Sequence, residues 1–136
     1  MPSYALLVEY DGSPFSGWQR QENALSIQQV IEEAAGALNH DRVASPTAAG
    51  RTDAGVHATG QVAHVDLARD WPPDTVRDAL NAHLREEGGA AILSAERVAD
   101  GFDARFSARK RHYLYRILNR RPPPTVLKGR VWWGWK

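Results

Sequence analysis

Hydrophobic and polar positions along this chain repeat with two different periods. Residues 4–10 are aliphatic and aromatic enough to predict a strand, and Asp11-Gly12 closes it with a turn signal. Residues 11–24 are mostly polar and predict a loop, interrupted by Phe15 and Trp18. Rings in such a loop either pack it onto the body of the domain or stand out to stack on a base. Ile27, Val30, Ile31, Ala34 and Leu38 then fall on one helical stripe. Ser26 and Gln29 have the spacing of a capping box at its start. Val76, Leu80 and Leu84 predict a second helix, opened by Pro72-Pro73 with Asp74 as its N-cap and ended by Gly88-Gly89.

Between the helices, residues 43–49 form an apolar approach, and Val62, Val65 and Leu67 belong to an exit strand whose register Gln61, Ala63 and Asp66 leave open. Residues 90–98 predict a further strand. Residues 112–118 predict another, with Tyr113, Tyr115 and Ile117 on one face and Leu114 and Arg116 on the other. Pro122-Pro123-Pro124 is a stiff break, and residues 131–135 predict a last strand. The order β-α-β-β-α-β with an additional strand predicts an α+β, ferredoxin-like (RRM-like) sandwich, an antiparallel sheet with helices on one face. The open face of such a sheet commonly binds RNA.

The loop between approach and exit concentrates chemistry. Arg51, Asp53, Gly50, Gly55 and Gly60 lie within a dozen residues, and short polar side chains held on a rigid scaffold are suited to catalysis. The glycines predict positive φ or the close approach of another backbone. A guanidinium at Arg51 would keep the Asp53 carboxylate ionised, as a nucleophile or a base. The same Asp also suits a turn cap. His57, His64 and Asp66 lack the spacing of a zinc site, which assigns His57 to shaping the loop.

Composition narrows the field. The chain has 136 residues, enough for one ordinary domain, and no Cys, which removes disulfides, thiolate nucleophiles and cysteine zinc sites. No apolar run approaches the roughly 20 residues that span a bilayer. The first residues carry neither a basic nor an apolar leader segment, so a cytoplasmic location is expected. The net charge of +1 hides an asymmetry: residues 1–104 carry 7 Lys and Arg against 16 Asp and Glu, whereas residues 105–136 carry 10 basic residues and no acid. Interleaved with Phe106, Tyr113, Tyr115, Trp132, Trp133 and Trp135, that block suggests a nucleic-acid surface, or else a solvated basic tail.

Residues 50–58, Gly-Arg-Thr-Asp-Ala-Gly-Val-His-Ala, together with residues 9–12 and 17–21, closely resemble the tRNA pseudouridine synthase A family. Residues 102–108 and 111–116 resemble its next two signatures. The resemblance implies isomerisation of uridine to pseudouridine in the anticodon stem-loop of tRNA, around positions 38 to 40, without metal or organic cofactor. Asp53 matches the catalytic aspartate, attacking C1′ of the ribose or C6 of the uracil. Tyr113 matches the active-site tyrosine, suited to stacking on a flipped uracil or moving a proton. Arg51 matches the arginine beside the nucleophile, which orients Asp53 and holds RNA backbone or the displaced base partner. Arg20 and Gln21 are candidate RNA contacts, and Arg105, Arg109, Lys110 and Arg111 would hold phosphates.

Family members are roughly twice as long, with a second similar half and a homodimer across which RNA binds. Residues 1–136 therefore read as the aspartate-bearing N-terminal domain. The competing readings are an RNA-binding module without catalysis and a subunit that assembles through its C-terminal strand.

Overall fold

The structure, a computed structural model, describes residues 2–39 and 45–134. Its main sheet contains β1 (Ser3–Tyr10), β2 (Thr47–Ala48), β3 (Ala58–Asp66) and β4 (Ala90–Val98) in the order β2-β3-β1-β4, with every neighbour antiparallel. Helices α1 (Ile27–Leu38) and α2 (Pro73–Glu87) connect the strands as the ferredoxin-like order requires. Tyr4, Leu6, Val8 and Tyr10 of β1 alternate onto the buried face, joined by Ala63, Val65 and Ile92. From the helices, Ile27, Val30, Ile31, Val76, Leu80 and Leu84 complete this core. Each fully buried aliphatic side chain there contributes roughly 1.5–3 kcal/mol. No helix among the described residues is long and apolar enough to cross a membrane.

Several boundaries follow their sequence signals. The Ser26 side chain accepts from Gln29 N at 3.2 Å and caps α1. The reciprocal half of the box is replaced, because the Gln29 amide donates to Glu33 at 3.1 Å, one turn on. At α2 the cap is Pro72 without a side-chain bond, and Asp74 sits inside the first turn. There its charge still faces the positive end of the helix. Gly88 ends α2 at φ 71°. Phe15 and Trp18 are buried and pack the 11–24 loop onto the body.

The structure settles the register of one strand and shortens another. In β3 the buried set is Ala63 and Val65, continued by Leu67, so Val62 has the opposite parity and is partly exposed. Residues 112–116 form no strand; only β5 (Ile117–Asn119) does, and its partner is β6 (Trp132–Gly134), in a separate parallel pair. Tyr113, Tyr115 and Ile117 alternate in sequence, but no strand of the main sheet lies beside them, and all three are exposed. Val43 and Ala44 of the expected approach strand, and Trp135 of the expected last strand, lie outside the described residues. A short helix, α3 (Ala104–Ser107), occupies a segment for which the sequence pattern predicts no element. Asp103 caps it by accepting from Arg105 N and Phe106 N.

Candidate active site

The loop between β2 and β3 is held by its main chain and by the Thr52 and His57 side chains. Thr52 O accepts from Trp18 N at 3.0 Å, and Thr52 Oγ1 lies 2.8 Å from the hydroxyl of buried Tyr10. On the other side of Asp53, Val56 N donates back to Asp53 O at 3.2 Å, and Gly55 N donates to Phe15 O at 3.3 Å. The 11–18 segment can approach this closely only because two of its residues lack Cβ. A Cβ on Gly12 would meet Val56 O at 2.0 Å, and one on Gly17, at φ 81°, would meet Thr52 O at 2.6 Å. Of the glycines singled out in sequence, Gly55 has φ 78°, and Gly50 faces side chains of Arg111 and Tyr113 rather than another backbone. Gly60 has neither constraint, with only Leu7 Cδ1 at 3.6 Å.

Asp53 is exposed, and its carboxylate makes no hydrogen bond or ion pair among the described residues. Arg51 is likewise exposed and unpaired, so no ion pair joins the two. Such an acid keeps all its lone pairs available for an incoming group, on a backbone that does not have to reorganise to present it.

Tyr113 and Arg111 come to the same loop from far along the chain. The Tyr113 hydroxyl and the Arg111 side chain both lie 3.3 Å from where a Gly50 Cβ would stand. The Arg111 guanidinium donates to two carbonyls, Ala49 O at 2.7 Å and Arg105 O at 3.0 Å. Arg51 and Arg105 line one small cleft. Arg109 and Lys110 are exposed and make no polar contact among the described residues. Arg20 and Gln21 border a separate open groove, where Arg20 pairs with Glu32 at 3.0 Å and the Gln21 amide donates to Ser16 O at 2.8 Å.

His57 shapes the loop by joining three segments. Gly12 N donates to its Nδ1 at 2.8 Å, and its Nε2 lies 2.6 Å from Gly129 O. Arg130 Nη1 lies 3.2 and 2.9 Å from the two ring nitrogens, and the Arg130 fork holds Asp11 at 2.9 and 3.2 Å. That pairing, with the Ser13 N–H, holds the Asp11 carboxyl well below the usual carboxylate range. His64 and Asp66 point to other partners, Ala104 N and Ser3 Oγ respectively. Sequence reasoning had no signal for the Asp11–Arg130 pair, whose members are 119 positions apart.

The family described as tRNA pseudouridine synthase matches residues 6–107, three quarters of the chain and every residue that pins the Asp53 loop from the N-terminal side. The chain belongs to the tRNA pseudouridine synthase family. Among its relatives are proteins named tRNA pseudouridine synthase A from Beijerinckia indica (61% identical, 97% of this chain, 50% of the relative) and Methylocella silvestris (61%, 97% and 52%). That of Mesorhizobium japonicum is 60% identical over 98% of this chain and 54% of its own length. The chain thus spans about half the length of these curated relatives. Within the family match lie Arg20, Gln21, Arg51, Asp53 and Arg105, whereas Arg109, Lys110, Arg111 and Tyr113 follow it.

Proposed function

We propose that this chain is the aspartate-bearing half of an enzyme that isomerises uridine to pseudouridine in tRNA, in the anticodon stem-loop around positions 38 to 40. Family membership supports the reaction class, and the names of the relatives support tRNA as the substrate. The observation that carries the assignment of Asp53 is local. Its carboxylate is exposed and unpaired while the residues on both sides are fixed by Trp18, Tyr10 and Phe15.

In this reading the target uridine is flipped out of the RNA to reach the loop. Asp53 adds to C1′ of the ribose or to C6 of the ring, the bond from N1 to the ribose breaks, and the uracil turns. A new bond forms from C5 to C1′, the carboxylate leaves, the C5 hydrogen departs as a proton, and N1 takes up a proton, so that the product is an isomer of the substrate. In this reading Tyr113, whose hydroxyl lies beside Gly50, covers the base and takes part in proton transfer. Arg51 contacts the RNA. Arg20, Gln21, Arg105, Arg109, Lys110 and Arg111 make up the wider RNA face, and the same reading includes a cytoplasmic homodimer.

One observation favours a second reading, an RNA-binding domain without catalysis: Asp53 borders neither of the two clefts described above. Tritium release from tRNA carrying 5-tritiated uridine separates the two. Release by the wild-type chain, abolished by Asp53→Asn, is the expected result. Retained tRNA binding with no release from either form would leave only the binding reading.

A further inference from the structure

Next to the Asp53 loop lies a cleft of about 100 Å³, lined by Arg51 from the loop and Arg105 from α3. Trp18, Gln19, Gln28 and Thr47 contribute to its walls, and among the described residues no carboxylate does. Neither guanidinium makes a hydrogen bond or ion pair among the described residues. The Gln28 amide is occupied, donating to Pro46 O at 3.0 Å and accepting from Arg20 N at 2.8 Å. Two cations in one concave site without a counter-charge repel each other, and an anion between them removes the repulsion. The volume is well below the roughly 300 Å³ at which small-molecule pockets begin, so the site suits one oxyanion group rather than a nucleoside. The planar fork of arginine matches phosphate oxygens.

A third arginine joins the two sides of the cleft. Arg111 donates to Ala49 O and to Arg105 O, so one guanidinium ties together the two stretches of main chain from which the cleft arginines project. Its charge is held over carbonyls.

We infer that Arg51 and Arg105 form a single phosphate-binding subsite, with Arg111 as the positioning residue that fixes its width. Resting on the reading of this face as the tRNA side, the phosphate belongs to the RNA backbone, and the subsite positions the strand beside Asp53 without reading sequence.

Two measurements on the same chain test this. In the first, inorganic phosphate is titrated while the Nε–H resonances of the arginines are followed. Arg51 and Arg105 are expected to move together toward one saturation point, and Arg51→Gln to abolish the response at Arg105. Independent saturation, or no response, overturns the subsite. In the second, tRNA affinity is measured against salt. The double variant Arg51→Gln/Arg105→Gln is expected to lose one phosphate's share of the log–log slope, roughly 0.7–0.9. No loss, or a loss of twice that size, overturns the shared site. Phosphate binding without tRNA binding would keep the subsite and discard the RNA reading. Normal tRNA binding with no arginine response to phosphate would do the reverse.

Discussion

The hydroxyl of Tyr10, at the buried end of β1, meets Thr52 Oγ1 at 2.8 Å, one residue before the candidate nucleophile. A core strand thus reaches directly into the reactive loop. Tyr10→Phe keeps the ring and its packing but strands the threonine hydroxyl. A loss of about 1 kcal/mol of stability is expected, read from the urea midpoint at unchanged slope.

Asp53→Asn is expected to leave stability within about 0.5 kcal/mol of wild type, because the carboxylate makes no bond among the described residues. Matched denaturation curves alongside lost tritium release would assign the defect to chemistry. A large shift in midpoint would show instead that Asp53 holds the loop.

The glycines divide sharply. Gly12→Ala and Gly17→Ala each drive a methyl into a main-chain carbonyl of the Asp53 loop, and a cost of about 2 kcal/mol or more is expected. Gly60→Ala meets only Leu7 Cδ1 at 3.6 Å and removes a flexible residue from a strand, so it is expected to be neutral or mildly stabilising. Thermal melting of the three variants tests the contrast.

The Asp11–Arg130 pair gives the chain an acid-sensitive fastening. The folded state lowers the Asp11 carboxyl below its ordinary value, so the stabilisation is complete above that value and disappears as pH falls through the lower, folded one. The difference in melting temperature between wild type and Asp11→Asn is expected to be constant from neutral pH down to about pH 5. It should shrink below about pH 4. A difference that grows on acidification would contradict the pairing.

Arg111→Lys keeps the positive charge and loses the fork that spans Ala49 O and Arg105 O. The expected outcome is weaker tRNA binding with an unchanged salt slope, since no phosphate contact is removed. Arg109→Gln, at an exposed side chain without polar contacts among the described residues, is expected to reduce the slope by roughly 0.7–0.9.

Much of this was legible in the residues. The stripe from Ile27 to Leu38 and the Ser26 cap are local patterns, and local physics forms them. The Asp53 loop announced itself through glycines and charges packed between two apolar runs. What escaped depended on distant partners. Residues 112–116 alternate like a strand, but a strand also needs a neighbouring main chain, and alternation cannot supply one. A guanidinium fork fits carbonyl oxygens as well as phosphate ones, and nothing near Arg111 in sequence shows that Ala49 O and Arg105 O will lie beside it. Gly12 looked like an ordinary turn former, since nothing near it in sequence shows that Val56 O will come to rest against it.

The groups that fix Thr52 and Gly55 all precede Asp53 in the chain: Tyr10, Phe15, Gly17 and Trp18. The arginine that joins Ala49 to Arg105 is made much later. As the chain emerges from the ribosome, N-terminus first, the carboxylate loop can settle once β3 has paired with β1, long before the neighbouring cationic cleft exists. The candidate acid is thus set in place early and the proposed anion subsite beside it late, an order written into the sequence positions of two sets of hydrogen bonds.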